Sequence, residues 1–314
     1  MASSMNPAVA PKPRLDKKGY SLRYDKGEVL TAYIFLLPLI VGIILFFIIP
    51  IGQTLSYAFT KYKGLGTPEW VGLNNFIKLF TRDKKFGLEL NNTFAFVVGT
   101  IPLTLGISMV MAALLNQNIK GRGLFRTILF LPNVTMTVVV AMVWQWLMNA
   151  DYGIINSVLK ATLGIAPRWF SDTKLTMISM CLIAIWQGCG YCIVILLAGL
   201  QNISPTYYEA AKIDGANATQ QFFKITVPLL TPSIFFLLVT RVIAAFNQFD
   251  LVYMIASEAG PIQNSLRTLV LGIYQSGFTE FAMGYACAKA TILFIIIMIV
   301  TFLQMLGEKY WVNY

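Results

Sequence analysis

The sequence predicts an all-α membrane protein with six transmembrane helices. Of its 314 residues, 57% are apolar and 12% are charged, against about 45 to 50% and about 25% in soluble domains. Six runs with little charge each reach the roughly 20 residues that an α-helix needs to cross the hydrocarbon layer. They are also much longer than the roughly 10-residue strands of membrane β-barrels, so their backbone groups have to bond within helices. The six predicted helices are Val29–Gln53, Asn92–Leu115, Leu124–Met148, Leu175–Leu200, Pro228–Met254 and Ala282–Gly307.

Little of the chain is left outside these helices. Residues 1–28 form a basic arm, the first helix 29–53 is followed by an external loop 54–91, and residues 92–307 form a five-helix core before the tail 308–314. The arm is not expected to be a signal peptide. The apolar core of a signal peptide is about 7 to 15 residues long and lies close to the N-terminus, whereas the first apolar run here starts later and is longer.

The net charge of +10 would suit a nucleic-acid partner, but Lys and Arg lie mostly in short flanks beside the apolar runs. Such flanks are typical of a protein in a lipid bilayer, and no nucleic acid is expected to bind. The excess of Lys and Arg in short loops marks the cytoplasmic side. Six basic residues precede the first helix and six follow it, so the later loops decide. They place Lys120, Arg122, Arg126, Lys212, Lys224 and Lys309 on the side of the arm, against Lys160, Arg168, Lys174 and Arg267 on the other. Both termini are therefore predicted to be cytoplasmic.

The composition argues against an enzyme. The chain contains no histidine, which removes catalytic triads, His-ligated zinc sites and the usual general base at neutral pH. It also lacks the G-x-x-x-x-G-K-[ST] phosphate loop, so any ATP dependence has to come from a partner. The sequence "CGYC" at residues 189–192 has redox spacing, but it lies in the middle of an apolar run. We interpret the four cysteines as reduced packing thiols.

A polar run, "YYEAAKIDGANATQQFFKITVP", occupies Tyr207–Pro228 between two apolar segments. Ser204 is a suitable N-cap and is followed by Pro at the first helical position. Gly215 permits the left-handed conformation that ends a helix. Asn217 and Gln220 have the spacing of a capping box for a second helix. The pattern predicts two short helices, joined at glycine, outside the bilayer.

Two interpretations of this run remain open from its residues alone. The small side chains of Ala210 and Ala211 would let another protein approach the helix backbone closely, which favours a docking role. The alternative is an amphipathic connector that rests on lipid headgroups, as many short helices do.

The run resembles the EAA motif of binding-protein-dependent ABC importer permeases, E-A-A-x3-G-x9-I-x-L-P. The matching residues are Glu209, Ala210, Ala211, Gly215, Ile225 and Pro228. Val227 stands where leucine is usual. The segments "GRGLFRTILFLPN" and "FNQFDLVYMIASEAGP" are also similar to carbohydrate-uptake permeases related to the maltose and glycerol-phosphate systems. The first helix and "VGLNNF" resemble the MalF-like member of such a pair, while Ala259-Gly260-Pro261 departs from the family's Gly-Gly-Pro.

The resemblance implies a type I, MetI-like permease fold in the bacterial cytoplasmic (inner) membrane. It implies a homologous MalG-like second permease, two ABC ATPase subunits that bind ATP and Mg, and an extracytoplasmic solute-binding protein. No cofactor, metal or catalytic residue is expected in this chain. Residues 201–228, the coupling loop, would sit in a cleft of the ATPase, with Glu209 facing a basic residue, Ala210 and Ala211 fitting closely and Gly215 forming the bend.

Two charged residues lie inside predicted helices, where charge is costly and usually functional. These are Arg241 and Lys289, and Gln248 follows Arg241 by seven residues, which places both near one helical face. Asn247 and Asp250 lie off that stripe. The resemblance places sugar contacts on this helix and near residues 187 and 188, and Trp186 or Tyr285 would suit a sugar ring. The expected substrate-pathway residues are Gln187, Gly188, Arg241, Asn247, Gln248, Asp250 and Tyr285.

Arg241 leaves the substrate class open. It could form an internal ion pair that holds the bundle together. If it faces the pathway, its guanidinium group favours carboxylates or phosphates, which it binds with two parallel hydrogen bonds. The basic loop from Lys61 to Lys85 favours the same class. We expect an importer of acidic, uronate-type oligosaccharides, with neutral oligosaccharides or glycerol phosphate as alternatives. A secondary transporter is the alternative from another class, and it would show inverted repeats.

Overall fold

The computed structural model describes residues 26–117, 119–256 and 261–313. The chain divides into two units, Met1–Gln53 and Thr54–Tyr314. The described part of the first unit is helical, and its apolar side chains are exposed, as lipid contact requires. The elements are α1 Lys26–Ile43, a π-helical segment Ile44–Ile48 and α2 Ile49–Tyr57, whose end enters the second unit. The first predicted helix is confirmed.

The second unit begins with a small structure that precedes its first long helix. Strands β1 Thr60–Lys61 and β2 Glu69–Trp70 pair in antiparallel fashion, and α3 spans Asn74–Thr81. The side chain of Asn75 donates to the backbone oxygens of Ala58 and Thr60, both at 2.9 Å. These two hydrogen bonds fasten α3 to the chain around β1.

Four long helical segments match the second, fourth, fifth and sixth predictions. They are α4 Lys84–Leu115, α8 Thr173–Gln201, α12 Thr231–Phe246 with α13 Asp250–Ile255, and α16 Met283–Trp311. Asp83 accepts a hydrogen bond from the N–H of Lys85 at 2.9 Å. Because this cap lies ahead of the apolar run, α4 starts before the predicted Asn92.

The third predicted helix, Leu124–Met148, is wrong as a single rod. The structure has α5 Arg122–Val134 and α6 Thr137–Leu147, bent by 100°. Thr135 and Met136 between them adopt extended backbone conformations. Pro132 lies in the last turn of α5 and has no N–H to donate, which weakens the helix just before the break.

Short helices complete the bundle. They are α7 Ile154–Leu163, α9 Pro205–Ile213, α10 Ala218–Gln221, α11 Val227–Leu229, α14 Pro261–Leu266 and α15 Leu269–Tyr274, with π-helical segments Phe222–Thr226 and Gln275–Thr279. Ala259 and Gly260 of the departure from Gly-Gly-Pro lie outside the described residues. The described residues contain five membrane-length helices, or six spans if α5 and α6 count as one, so the all-α fold class is confirmed.

The two ends of the bundle differ. Leu115, Leu200 and Leu230 pack in one apolar cluster, which brings the ends of α4 and α8 to the start of α12. The N–H of Asn313, just after α16, donates to the hydroxyl of Thr231 at 2.9 Å. The end of α16 therefore lies at the same end of the bundle as the coupling loop, which we call the coupling-loop end. At the opposite end the N–H of Gly284 donates to Tyr62 at 3.0 Å. This end, which holds β1 and β2 and which we call the strand-pair end, carries the starts of α4 and α16.

Candidate functional site

A cavity of about 200 Å³ lies inside the bundle. Helices α4 and α8 form two of its walls, the break between α5 and α6 forms a third, and α12 with α13 forms the fourth. Its polar lining residues are Thr100, Thr104, Asn133, Thr137, Gln187, Arg241 and Gln248. Phe96, Ile101 and Leu251 add apolar surface. The cavity therefore combines hydrogen-bonding groups with one cation and an apolar side.

Arg241 is the cation of this cavity, and Gly188 makes room for it. A Cβ atom on Gly188 would collide with Nη2 of Arg241 and would lie 3.1 Å from its Cζ. Within the described residues the guanidinium group forms no ion pair, and its buried Nε has no hydrogen-bond acceptor. The structure therefore offers no partner for the internal ion pair considered from the sequence. A half-buried cation at membrane depth is costly without a partner, so this guanidinium group is suited to bind an anionic group.

Gln187 connects the cavity to the break between α5 and α6. Its Nε2 donates to the backbone oxygen of Thr135 at 3.4 Å and to the Thr137 hydroxyl at 3.3 Å. Irregular backbone at membrane depth is tolerated where it lines a cavity and finds partners there. The break is thus part of the cavity wall, and Gln187 supplies one of its missing hydrogen bonds.

The structure brings together four of the seven expected pathway residues: Gln187, Gly188, Arg241 and Gln248. The other three are placed elsewhere. Asn247 is exposed and donates to the backbone oxygen of Ile243 at 2.9 Å. Asp250 is exposed in the first turn of α13, and Tyr285 lies at the strand-pair end. Of the residues expected on the fifth predicted helix, the two on one helical stripe, Arg241 and Gln248, line the cavity, whereas Asn247 and Asp250 do not.

Four polar cavity residues were missed from the sequence: Thr100, Thr104, Asn133 and Thr137. Thr104 is an ordinary polar residue in an apolar helix and gave no signal. Asn133 follows Pro132, and this Pro-Asn pair could have indicated irregular backbone in the third segment.

Lys289, the second charged residue expected to be functional, belongs to a buried ion cluster. Glu89 is fully buried and accepts from Nε of Arg267 at 2.6 Å and from Nζ of Lys289 at 2.9 Å. Lys289 also lies 3.5 Å from Asp83, and the hydroxyl of Tyr285 donates to Asp83 at 2.6 Å. These contacts join α4, α16 and the chain before α15. Lys289 and Tyr285 therefore have structural partners at the strand-pair end.

The electrostatics of Asp83 follow from the same contacts. Burial acts to raise the pKa of its carboxyl group, but several interactions act in the opposite direction. The hydrogen bond from Tyr285, the charge of Lys289 and the N–H groups of Lys85 and Phe86 together hold the pKa below its usual value. Asp83 is thus a stable anion that closes the cluster toward the outside of the bundle.

The coupling loop has the predicted local structure. Ser204 caps α9 by accepting from the N–H of Thr206 at 3.4 Å, and Gly215 follows the helix with φ of +80°. Asn217 and Gln220 exchange the two hydrogen bonds of a capping box, both at 2.9 Å. Tyr208 bonds the hydroxyl of Thr226 at 3.0 Å. The bond between Tyr208 and Thr226 ties α9 to the π-helical segment Phe222–Thr226 that follows α10.

The motif residues divide into two groups. Glu209, Ala210 and Gly215 are exposed and Ala211 is half-buried, whereas Ile225 and Pro228 are half-buried where the loop joins the bundle. Tyr207, Ile213 and Phe223 add exposed apolar surface around the first group. Exposed apolar residues grouped in this way are typical of a protein-binding surface.

The sequence "CGYC" lies in the interior of α8, and all four cysteines are free. Cys192 is buried, and the thiol of Cys189 lies 3.9 Å from the backbone oxygen of Thr104. These contacts agree with the interpretation of packing thiols.

Comparison with known proteins identifies the family. Residues 103–309 match the family described as "Binding-protein-dependent transport system inner membrane component". The chain belongs to this family. The resemblance noted in the sequence is thus confirmed, and the alternative of a secondary transporter is wrong.

Relatives extend the match over almost the whole permease. It is 39% identical over 302 residues to the "Probable ABC transporter permease protein YesP" of Bacillus subtilis, covering 95% of this chain and 96% of that protein. It is 32% identical over 302 residues to the arabinooligosaccharides transport system permease protein AraP of the same organism, covering 95% and 94%. It is 32% identical over 273 residues to the sn-glycerol-3-phosphate transport system permease protein UgpA of Yersinia pestis, covering 87% and 92%.

A solved structure shows the same fold. A chain of the bacterial alginate ABC transporter, crystallised with an alginate pentasaccharide-bound periplasmic protein, superposes with a TM-score of 0.80. The two chains are 20% identical, and the match covers 90% of the permease and 95% of that chain. The MetI-like permease fold expected from the sequence is confirmed.

Proposed function

We propose that this permease is a membrane subunit of an ATP-driven importer that takes up acidic, uronate-type oligosaccharides. Two relatives support a substrate of this general kind, because their names give arabinooligosaccharides and sn-glycerol 3-phosphate as what they transport. The first is an oligosaccharide and the second carries an anionic group. An acidic oligosaccharide combines these two properties.

The observation that carries the proposal is the guanidinium group of Arg241 in the cavity, which has no ion-pair partner and no acceptor for its Nε among the described residues. A carboxylate would give it a charge-balanced, bidentate partner. The amides of Gln187, Gln248 and Asn133 could bond sugar hydroxyls, which both donate and accept. Phe96 would face the apolar side of a sugar ring.

The same guanidinium group would also bind a phosphate, so an sn-glycerol-3-phosphate importer is the second candidate. The relative UgpA favours it. The cavity has three amide side chains beside Arg241, which exceeds what a small phosphate ester requires and favours the larger, hydroxyl-rich cargo.

The partners follow from the family and the coupling loop. A MalG-like second permease would complete the pathway, two ABC ATPase subunits would bind ATP and Mg, and an extracytoplasmic solute-binding protein would deliver the cargo. ATP is hydrolysed by the ATPase subunits and not by this chain. The exposed surface around Glu209 and Ala210 docks on an ATPase. The coupling-loop end then faces the cytoplasm of a bacterial cell, and both termini lie on that side of the inner membrane.

The test uses the complete importer reconstituted in proteoliposomes. Uptake and substrate-stimulated ATPase activity are measured with uronate oligosaccharides, neutral oligosaccharides of equal length and glycerol 3-phosphate. The acidic oligosaccharides are expected to stimulate most. Arg241→Gln should lower their uptake at least tenfold and Arg241→Lys less, because lysine keeps the charge without the bidentate geometry. Thr240→Val, a change of similar size one residue away and outside the cavity, is the matched control. Stimulation by neutral sugars alone would overturn the proposal.

A further inference from the structure

A second recess, of about 400 Å³, lies at the strand-pair end. It opens where α3, the start of α4 and the start of α16 meet. Its cations are Lys78, Arg82, Lys84, Lys85, Arg267 and Lys289, and its carboxylates are Asp83 and Glu280. From Lys85 to Thr100, a lining residue of the first cavity, α4 rises about 22 Å. The two spaces therefore lie along the same helix at different depths.

The positive charge of this outer recess is not balanced by the protein. Arg267 and Lys289 are buried and paired with Glu89 and Asp83. Counting Glu89 behind the wall, six cations face three carboxylates, which leaves an excess of three positive charges. Among the described residues, Lys78, Arg82, Lys84 and Lys85 take part in none of the ion pairs. The recess has the charge of an anion-binding site.

Tyr285 gives this recess a fixed floor. Its hydroxyl is bonded to Asp83 at 2.6 Å, so the ring cannot turn freely. Nζ of Lys78 lies over the ring, 4.9 Å from its centre, and a cation at this position is held by attraction to the ring face. One of the unpaired ammonium groups is therefore positioned before any ligand arrives.

We propose that the outer recess is a subsite that binds a carboxylate-bearing sugar unit before it reaches the cavity around Arg241. This inference rests on the proposed function, since it takes an acidic sugar as the cargo. The volume falls in the range of about 300 to 1,000 Å³ that is typical of small-ligand pockets. The cations line a concavity, and Lys78 and Lys289 lie over one fixed aromatic ring, which suits a single sugar unit better than the flatter surface of a docking protein.

Binding to the recess is tested with the assembled importer in nanodiscs, without the solute-binding protein. The probe is trigalacturonate, with maltotriose as the neutral trimer, and binding is measured by titration at low and high salt. The triple variant Lys78→Gln, Lys84→Gln, Lys85→Gln changes three exposed side chains. It should weaken trigalacturonate binding at least tenfold and remove most of its salt dependence. Maltotriose binding should not change.

Two controls define the outcome. Lys63→Gln, an exposed cation at the same end but outside the recess, should bind trigalacturonate as the wild type does. The triple Lys→Arg variant should retain binding, which separates loss of charge from loss of fold. Unchanged affinity in the triple Lys→Gln variant, or no trigalacturonate binding by the wild type, overturns the inference.

Uptake assays separate this inference from the proposed function. If the wild type imports acidic oligosaccharides and the triple variant does so at the same half-saturating concentration, the recess is not a subsite, although the proposed function stands. If the wild type imports only neutral sugars, the proposed function itself fails. If the triple variant loses affinity for the substrate-free binding protein and imports every cargo poorly, the recess is a protein-docking surface and the subsite is refuted.

Discussion

Substituting Glu89 by Gln tests whether the buried ion cluster holds the helices together. Glu89 is fully buried and is the common partner of Arg267 and Lys289, whose side chains are also buried. The amide has nearly the same shape as the carboxylate but no charge. The variant would leave two buried cations with only Asp83, at 3.5 Å from Lys289, to balance them.

The size of the effect follows from the geometry. At 2.6 and 2.9 Å, and with an effective dielectric constant of about 20, each attraction is worth about 6 kcal/mol before desolvation is subtracted. Removing one partner of a buried pair costs about 3 to 5 kcal/mol. Since Glu89 serves two cations, we expect a loss in this range, which lowers the folding equilibrium constant between about 10²-fold and 10⁴-fold.

The assay is denaturant unfolding of the purified permease in detergent, followed by circular dichroism. Glu69→Gln is the matched control, because Glu69 pairs with Lys61 at 3.9 Å with both side chains about 70% exposed. Such a pair is worth at most about 1 kcal/mol. The double variant Glu89→Gln, Lys289→Gln restores charge balance and should recover part of the loss. The reasoning is refuted if Glu89→Gln destabilises the protein no more than Glu69→Gln does.

Three further predictions concern single residues. Gly188→Ala should displace the Arg241 guanidinium group and lower uptake of the acidic cargo at least fivefold, whereas Gly106→Ala, with no atom within 4 Å of its new methyl group, should stay within twofold in the same uptake assay. Gly215 has a left-handed backbone conformation, which costs an alanine about 1 to 2 kcal/mol. Gly215→Ala should therefore lower the stimulation of ATPase activity by cargo, while the permease still reaches the membrane. Because the pKa of Asp83 is lowered in the folded protein, its ionised carboxylate contributes its full stabilisation above the usual pKa of 3.8 and less as the pH falls further. The difference in unfolding free energy between the wild type and Asp83→Asn should therefore be constant near neutral pH and shrink below about pH 4. Unfolding measured across this pH range checks the prediction.

Local structure was predictable where neighbouring residues determine it. The cap at Ser204, the capping box at Asn217 and the left-handed Gly215 each depend on contacts within a few residues. The long helices were predictable for a related reason, since the bilayer requires an uninterrupted apolar run for each. The local structure of the coupling loop therefore follows from its own residues.

The break at Thr135 and Met136 depends on distant contacts. Proline is tolerated inside many transmembrane helices, so Pro132 alone does not predict a 100° bend. The extended backbone is stabilised by Gln187, which lies 52 residues from Thr135 and 50 from Thr137 along the chain. A pattern within one segment does not contain that contact.

The roles of Lys289 and Tyr285 were hidden for the same reason. Glu89 is 200 residues from Lys289, and Asp83 is 202 residues from Tyr285. Viewed alone, a lysine and a tyrosine near the start of an apolar helix suggest the cargo pathway. Their partners are found only where α4 and α16 pack together, and the same packing creates the outer recess.

If the coupling loop docks on an ATPase as proposed, its placement gives a physical route from that surface to the cavity. The loop joins the end of α8 to the start of α12, and these two helices carry Gly188 and Arg241. Gln187 lies about 21 Å along α8 from Gln201, and Arg241 lies about 15 Å along α12 from Thr231. Because α-helices are stiff over such lengths, a displacement of the loop has to move both cavity walls. Coupling between ATP and cargo requires two arrangements that each ligand biases differently. The close contact between Gly188 and Arg241 joins these two walls, so in the proposed importer it is the part of the cavity whose geometry should depend most directly on the state of the ATPase.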